Sequence, residues 1–173
     1  MAAERSTRDR LLDSFETLLV EGGSRAATLD AVAAHAGTSK GGLLYHFHTK
    51  DDLTEAMLDR LIEQANEDTK RMRVASEGPV AYYLNTSVDS GSAFDRALIA
   101  TARIAYERSE PASEALGTVR AQWLSVLEAH LNDHALAQTV QLIGDGLYFN
   151  DTTGHQDPGA LPAAHEILRR LGI

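Results

Sequence analysis

The residues best suited to chemistry in this sequence gather between positions 28 and 50. Hydroxyl, ammonium, imidazole and phenol groups recur there at short intervals, on Thr28, Thr38, Ser39, Lys40, Tyr45, His46 and Lys50. Hydroxyls and cations beside the free N–H groups of helix N-termini can bind phosphate oxygens together, and some can reach the edges of DNA bases. The types and spacing of these residues therefore favour contact with a nucleic acid.

Two adjacent glycines, Gly41 and Gly42, interrupt the same stretch. Each glycine in a helix interior costs about 1 kcal/mol relative to alanine, so the pair works against the surrounding helix. The pattern therefore indicates a place where bare backbone is needed.

Two short helices joined by a tight turn must position these side chains. The first follows Thr28 and ends at Gly37, and the second runs roughly from Ser39 to Tyr45. Ala33 is small enough to let the second helix cross close over the first, and Gly37 supplies the positive φ of the turn. This spacing predicts a helix-turn-helix whose second helix lies in the major groove of DNA.

The remaining chain is also predicted to be helical, because apolar residues recur at intervals of three and four and no strand pattern occurs. Ser6 is placed to cap a first helix that ends at Gly22-Gly23, and Thr49 caps a long helix that reaches about Arg73. Four more helices are predicted near 79–88, around 94–105, at 112–131 and at 134–150, and a last one from Leu161 to Leu171. The turn at Asn132-Asp133 separates two of them.

The predicted fold is therefore all-α with about nine helices in total. Residues 1–48 form an N-terminal three-helix DNA-binding domain, and residues 49–173 form a helical bundle for effector binding and dimerisation. The net charge of −9 argues at first against a nucleic-acid partner. However, the first 50 residues hold six basic and six acidic side chains, so the whole negative balance lies beyond residue 50.

Several other classes of protein have little support. There is no cysteine, the N-terminal MAAERSTRDR is charged, and no apolar run has the ~18 residues of a membrane span, so we expect a cytoplasmic protein without disulfides. No nucleophile elbow, phosphate loop or paired-carboxylate site occurs, so no enzyme activity and no cofactor are predicted. No metal site is predicted either, because Asn132-Asp133 breaks the helix that would place His130 beside His134.

The run from Thr28 to Phe47, TLDAVAAHAGTSKGGLLYHF, followed by TKDDL at Thr49–Leu53, resembles the TetR family of bacterial transcriptional regulators. The resemblance covers about 50 residues. It implies a homodimer that reads two half-sites of a palindromic operator, roughly 34 to 36 Å or one turn of DNA apart. It also implies that a small-molecule effector bound in the body releases the DNA, and we predict a repressor.

The resemblance assigns roles to individual residues. Tyr45 and Lys50 match family positions that contact the DNA backbone. Gly41 matches the family pattern and is expected to let the recognition helix lie hard against DNA, whereas Gly42 is more variable there and would lend flexibility or fit one base step.

The other candidates follow from the residues themselves. Thr28 and Ser39 begin helices and are expected to bind phosphate. Lys40 and His46 could reach bases or phosphates, and Thr38 at the edge of the turn could contact base or backbone.

Not every side chain in the motif is expected to touch DNA. Leu43, Leu44 and Phe47 lie on the apolar side of a short helix and are predicted to be core, although Leu44 could instead touch a thymine methyl group. His35 and His48 are predicted to be solvated surface.

The body offers candidates for ligand binding and for dimerisation. The candidates for the lining of an apolar effector pocket are Tyr82, Tyr83, Phe94, Tyr106 and Trp123, although plain core is the simpler interpretation of each. The helices at 112–131 and 134–150 have wide apolar faces and are predicted to form the homodimer interface, where Gly144-Asp145-Gly146 would permit close packing. The alternative is that both are core helices of a monomer.

Two other functions remain open at this point. One is a helical small-molecule binding protein without operator function, and the other is a helical enzyme. A salt-dependent interaction with DNA distinguishes the predicted regulator from both.

Overall fold

A computed structural model describes residues 6–173, and this part of the chain forms nine α-helices and no strand. The all-α prediction is therefore confirmed. The helices are α1 (Thr7–Ala26), α2 (Leu29–His35), α3 (Lys40–His46), α4 (Lys50–Val74), α5 (Pro79–Thr86), α6 (Ala93–Tyr106), α7 (Glu110–Leu131), α8 (His134–Thr152) and α9 (Ala160–Arg170).

Short polar side chains cap several of the helices, including α1, where the sequence predicts the cap at Ser6. The Ser6 hydroxyl accepts a hydrogen bond from the backbone N–H of Asp9 at 3.1 Å, and Asp133 caps α8 in the same way through Leu136 at 3.0 Å. Each bond satisfies one of the N–H groups that the first turn of a helix leaves without a partner.

The end of α1 differs from the prediction. The helix does break at Gly23, where φ is 70° and ψ is −174°, but helical structure resumes and continues to Ala26. A left-handed φ costs glycine little, so the chain changes direction there without ending the helix. α8 likewise continues to Thr152, two residues past its predicted end.

The chain divides into two compact units that differ from the predicted domains. Unit 1 holds the chain up to Gln64 together with Ala93–Thr118, and unit 2 holds Ala65–Ser92 and Val119–Ile173. α6 therefore belongs with the helix-turn-helix. The boundary predicted after residue 48 lies within unit 1, and as a functional boundary it stays a prediction.

Unit 1 is built around α1, which packs against α2 and α6. Its core residues are buried and mostly aliphatic: Leu11, Leu12, Phe15, Leu19, Val32, Leu43, Phe47, Leu53 and Met57. The core also contains a buried carboxylate, Glu16, which binds the guanidinium of Arg60 at 2.5 Å and that of Arg96 at 3.4 Å. Burial raises the pKa of Glu16, and the two arginines oppose that effect.

Unit 2 has a separate core, in which α5 packs against α8 and α9. The carboxylate of Asp68 joins three helices there: it accepts hydrogen bonds from the Tyr82 hydroxyl at 2.8 Å and from the Trp123 indole N–H at 2.9 Å. In each unit, a buried carboxylate is thus held by partners on other helices. Within the described part of the chain, no helix is long and apolar enough to cross a membrane.

Candidate nucleic-acid interface

The helix-turn-helix forms where the sequence predicts it. α2 ends at His35, Gly37 adopts a left-handed φ of 68°, and the N–H of Thr38 returns to the carbonyl of Ala33 at 2.9 Å. The chain then reverses into α3 with Ser39 at its N-cap. This tight connection fixes α3 on α2.

One side of α3 is anchored in the core of unit 1. Leu43 and Phe47 are buried, so the prediction that they are core is confirmed. Leu44 is partly buried against the same cluster, and its contact with a thymine methyl group stays the open alternative. The guanidinium of Arg8 lies 5.4 Å from the centroid of the Phe47 ring, which adds a cation–π contact from α1. The recognition helix is therefore held rigidly by its apolar side.

The other side of α3 faces solvent and carries the predicted contact residues. Lys40, Gly41, Tyr45 and His46 are exposed, and Tyr45 is 83% exposed. The rings of Tyr45 and His46 meet edge to face with centroids 5.1 Å apart. An aromatic residue this exposed contributes little to a core and leaves its hydroxyl accessible to a partner. Their contact with DNA stays a prediction.

Thr28 and Ser39 cap their helices and keep a free donor. Their hydroxyl oxygens accept hydrogen bonds from Ala31 at 3.2 Å and from Gly42 at 3.0 Å. A hydroxyl that accepts one bond can still donate its own hydrogen, for example to a phosphate oxygen. Capping and the predicted phosphate contacts are therefore compatible.

The paired glycines have different surroundings. A Cβ added at Gly41 would lie 3.8 Å from the Ser39 hydroxyl, in ordinary contact, so the free protein leaves room for a side chain there. A Cβ at Gly42 would lie only 2.5 Å from the Thr38 hydroxyl. Thr38, which is partly buried, thus explains Gly42 by packing within the turn, a reason that the sequence pattern alone does not give.

Lys40 is paired with an acid on the neighbouring helix. Its ammonium lies 3.0 Å from each carboxylate oxygen of Asp30, which sits in the first turn of α2. Both side chains are mostly exposed. Nothing in the sequence pattern marks Asp30 as a functional residue.

Lys50 has a structural partner that its position in the sequence does not reveal. Its ammonium donates to the backbone carbonyl of Ser24 and to the Ser24 hydroxyl, the latter at 2.9 Å. The N–H of Ser24 in turn donates to the Glu107 carboxylate at 3.3 Å. Lys50 is partly buried, so it positions the end of α1 whether or not it also reaches phosphate. No local sequence pattern points to this contact, because Lys50 and Ser24 are 26 positions apart.

A capping box begins α4 directly after the recognition helix. The Thr49 hydroxyl accepts from the N–H of Asp52 at 3.1 Å, and the Asp52 carboxylate accepts from the N–H groups of His48 and Thr49 at 2.8 and 3.0 Å. The Thr49 hydroxyl also donates its hydrogen to the Asp52 carboxylate at 2.8 Å. This bond, together with the two backbone hydrogen bonds, lowers the pKa of Asp52. His35 and His48 are exposed, which confirms that prediction.

The residues predicted to bind a ligand fall into two groups. Tyr82, Tyr83 and Trp123 lie together in unit 2, where the rings of Tyr83 and Trp123 are 5.7 Å apart. Phe94 and Tyr106 belong to unit 1, and Tyr106 is 89% exposed at the end of α6. The structure therefore brings three of the five together.

The glycines of α8 also differ from one another. The ring of Tyr83 lies against Gly144, and a Cβ at this position would overlap the ring. The absence of a side chain at Gly144 therefore makes room for Tyr83. Nothing lies within 4 Å of a Cβ at Gly146. Asp145 between them forms an ion pair with Arg120 and accepts a hydrogen bond from Tyr83 at 3.4 Å. Burial raises the pKa of the Tyr83 hydroxyl.

A rigid helix-turn-helix with a polar, exposed recognition helix, followed by a helical body, defines the class of helix-turn-helix DNA-binding proteins. Comparisons with known proteins narrow the class. The family model described as "Bacterial regulatory proteins, tetR family" matches residues 11–57, and the model described as "Tetracyclin repressor-like, C-terminal domain" matches residues 77–171. The chain belongs to the TetR family of transcriptional regulators, which are not enzymes, so the enzyme alternative is wrong.

Similar proteins come from several bacteria. The HTH-type transcriptional repressor KstR2 of Rhodococcus jostii (strain RHA1) is 27% identical over 143 residues, which cover 78% of this chain and 70% of that protein. A TetR-family structure from Streptomyces coelicolor A3 is 25% identical, with a TM-score of 0.66 over 96% of this chain and 98% of the other. A transcriptional regulator from Saccharomonospora viridis, solved in complex with choline, is 15% identical and has a TM-score of 0.74 over 94% of this chain and 95% of the other.

Proposed function

We propose that this protein is a ligand-responsive repressor that binds a palindromic operator as a homodimer through α3 and is released by a small-molecule effector. The observation that carries the proposal is the two-sided character of α3. Its apolar side is buried in unit 1, whereas Lys40, Gly41, Tyr45 and His46 face solvent. A helix held in this way presents its polar side to the major groove without rearrangement of the domain.

The test of DNA binding uses a pair of exposed tyrosines. Tyr45→Phe removes one hydroxyl from α3, and Tyr106→Phe removes the same group from the exposed end of α6. If Tyr45 donates to a phosphate, its loss should weaken operator binding about tenfold, as expected for a hydrogen bond to a charged group. Fluorescence anisotropy with labelled operator DNA measures the affinity. Tyr106→Phe should bind like the wild type, and equal affinities for all three proteins would contradict the assignment.

The dimer proposal is supported by the exposed side of α8. Leu142 and Phe149 are 66% and 63% exposed, although both are large and apolar. They are seven residues apart, so they lie on one face of the helix, with Gly146 between them open to a partner. We propose α8 as the centre of the interface. Residues 119–131 of α7 contribute small exposed side chains, and α9 contributes Ile167 and Leu171, which are also exposed.

A charge placed on α8 tests this interface. Leu142→Asp should convert the dimer into a monomer at micromolar concentration, because a buried unpaired carboxylate is costly in an interface. Val74→Asp is the matched control, since Val74 is an exposed apolar residue at the end of α4. Analytical ultracentrifugation should find dimers of the wild type and of Val74→Asp. A monomeric wild type would disprove the dimer.

The effector proposal rests on the aromatic group in unit 2. Tyr83 and Trp123 offer apolar ring surface beside the polar groups of Tyr82 and Asp68, which is the usual make-up of a small-molecule site. Trp123 is the only tryptophan in the sequence, so its fluorescence reports on this place alone. A compound that releases operator DNA should also change that fluorescence. A compound that releases operator DNA without changing the fluorescence of Trp123 would show that the effector binds elsewhere.

A further inference from the structure

We propose that Asp30 is a specificity-determining residue, which holds Lys40 in position for a base of the operator and opposes binding to arbitrary DNA. The proposal rests on the proposed function, because it assumes that α3 reads an operator. Asp30 is not among the residues of the motif that are predicted to contact DNA. The observation behind it is the ion pair between Asp30 and Lys40.

The ion pair lies at the leading edge of the recognition helix. Lys40 is the first residue of α3 and Asp30 lies in the first turn of α2. Their side chains are 57% and 70% exposed, so burial does not force them together. Exposed ion pairs of this kind contribute little to folding. A lysine in the first turn of α3 also opposes the helix dipole, so its presence there is not explained by the stability of α3.

The geometry leaves Lys40 able to bind DNA while it stays paired. Its ammonium lies 3.0 Å from both oxygens of the Asp30 carboxylate. An ammonium group has three N–H donors, so at least one remains for an acceptor on a base edge, such as O6 or N7 of guanine. A free lysine side chain loses much rotational freedom when it is fixed on a base. Asp30 restricts that freedom before DNA arrives, which favours the correctly docked complex.

The same carboxylate weakens contact with arbitrary DNA. Non-specific binding depends on cations that neutralise phosphates, and its salt dependence counts these contacts. The ion pair of Lys40 and Asp30 has no net charge, so it attracts phosphates less than a free lysine does. Asp30 should therefore reduce non-specific binding while it supports binding to the operator, and the two effects together raise the specificity ratio.

The test compares an operator duplex with a scrambled duplex of the same length and composition over a series of salt concentrations. In Asp30→Asn, the affinity for scrambled DNA should rise about threefold, because salt reduces the roughly fivefold effect of one charge interaction at close range in water. The salt dependence should steepen by up to about 0.9, the value for one additional phosphate contact. Operator affinity should fall about threefold, so the specificity ratio should drop about tenfold.

Two controls separate positioning of Lys40 from a general effect of charge. In Lys40→Ala, the further change Asp30→Asn should leave the specificity ratio and the salt dependence unchanged, because no ammonium remains to be positioned. Asp59→Asn removes the same charge from an exposed site on α4 and should not alter the ratio. A ratio in Asp30→Asn within twofold of the wild type would overturn the proposal, as would an equal drop in the Lys40→Ala background. A wild type that binds neither duplex would instead disprove the proposed function.

Discussion

The ammonium of Lys50 donates hydrogen bonds to both oxygens of Ser24, so the first turn of α4 is tied to the last turn of α1. Ser24 also donates its N–H to Glu107 at the end of α6. One residue thus connects three helices of unit 1 behind the helix-turn-helix. Lys50, which matches a phosphate-contact position in the family pattern, therefore has a structural role in this fold.

Lys50→Ala should therefore destabilise the free protein, whereas Lys40→Ala should not. We expect Lys50→Ala to lower the free energy of unfolding by about 1.5 to 3 kcal/mol, the range for hydrogen bonds to a charged group. Lys40 pairs only with an exposed acid, so its loss should change stability by less than about 1 kcal/mol. Urea unfolding measures the free energy of unfolding of both variants. Equal stabilities of the two variants would show that the bond to Ser24 contributes nothing.

Gly41→Ala and Gly42→Ala should differ in stability. Gly41 has room for a side chain, so alanine should stabilise the free protein by a few tenths to about 1 kcal/mol while it weakens operator binding by holding the backbone off the DNA. In Gly42→Ala the Thr38 hydroxyl must move away from the new methyl group. The resulting unfavourable side-chain torsion of Thr38 costs about 0.5 to 1.5 kcal/mol, which offsets the stabilisation from replacing glycine in a helix.

A double variant checks the reason given for Gly42. In a Thr38→Ala background, Gly42→Ala should regain the stabilisation, because the obstructing hydroxyl is gone. Thermal unfolding of the four proteins gives the coupling between the two positions. If Gly42→Ala stabilises the wild type as much as Gly41→Ala does, packing against Thr38 is not the reason for this glycine. Unchanged operator affinity in Gly41→Ala would refute the close approach of α3 to DNA.

Gly144→Ala should destabilise unit 2, because the ring of Tyr83 occupies the space of the new methyl group. Overpacking of this kind costs about 1 to 3 kcal/mol. Gly117 in α7 is the matched control, since nothing lies within 4 Å of a Cβ there and alanine should stabilise that helix by up to about 1 kcal/mol. Urea unfolding should separate the two variants in opposite directions. The same sign for both would mean that Tyr83 does not constrain Gly144.

The capping box at α4 should make stability depend on pH through Asp52. Its pKa is lowered in the folded protein, so the carboxylate stabilises the fold above its ordinary value of 3.8 and loses this effect as the pH falls through the folded pKa. Asp52→Asn should therefore unfold at a lower temperature than the wild type near pH 6, and the difference should shrink below about pH 4. Asp51→Asn changes the same charge without removing the capping bonds. An Asp52→Asn difference that is constant with pH, or matched by Asp51→Asn, would contradict this role.

Features that depend on neighbouring residues were predictable from the sequence. The caps at Ser6 and Thr28 bond to N–H groups three residues away, and the turn at Gly37 needs only a positive φ. The side of α3 that carries Leu43 and Phe47 follows from helical periodicity. These local rules also located the recognition helix to within one residue.

Contacts between distant residues could not be predicted in this way. Lys50 and Ser24 are 26 positions apart, and Glu16 and Arg96 are 80 apart. Periodicity identifies which side of a helix is apolar but not which other helix covers it. It therefore does not reveal that Phe94 and Tyr106 lie in a different unit from the other three predicted pocket residues. The separate surroundings of Gly41 and Gly42 also depend on the position of one side chain, Thr38.

The central claim is that two copies of α3 read a symmetric operator. Selection of bound sequences from random duplex DNA by the purified full-length protein tests it most directly. We expect an inverted repeat whose half-sites have centres about one turn of DNA apart, bound with a steep dependence on salt. Tyr45→Phe should select the same repeat with lower affinity. The absence of any enriched sequence, or a single half-site without its inverted copy, would contradict the account.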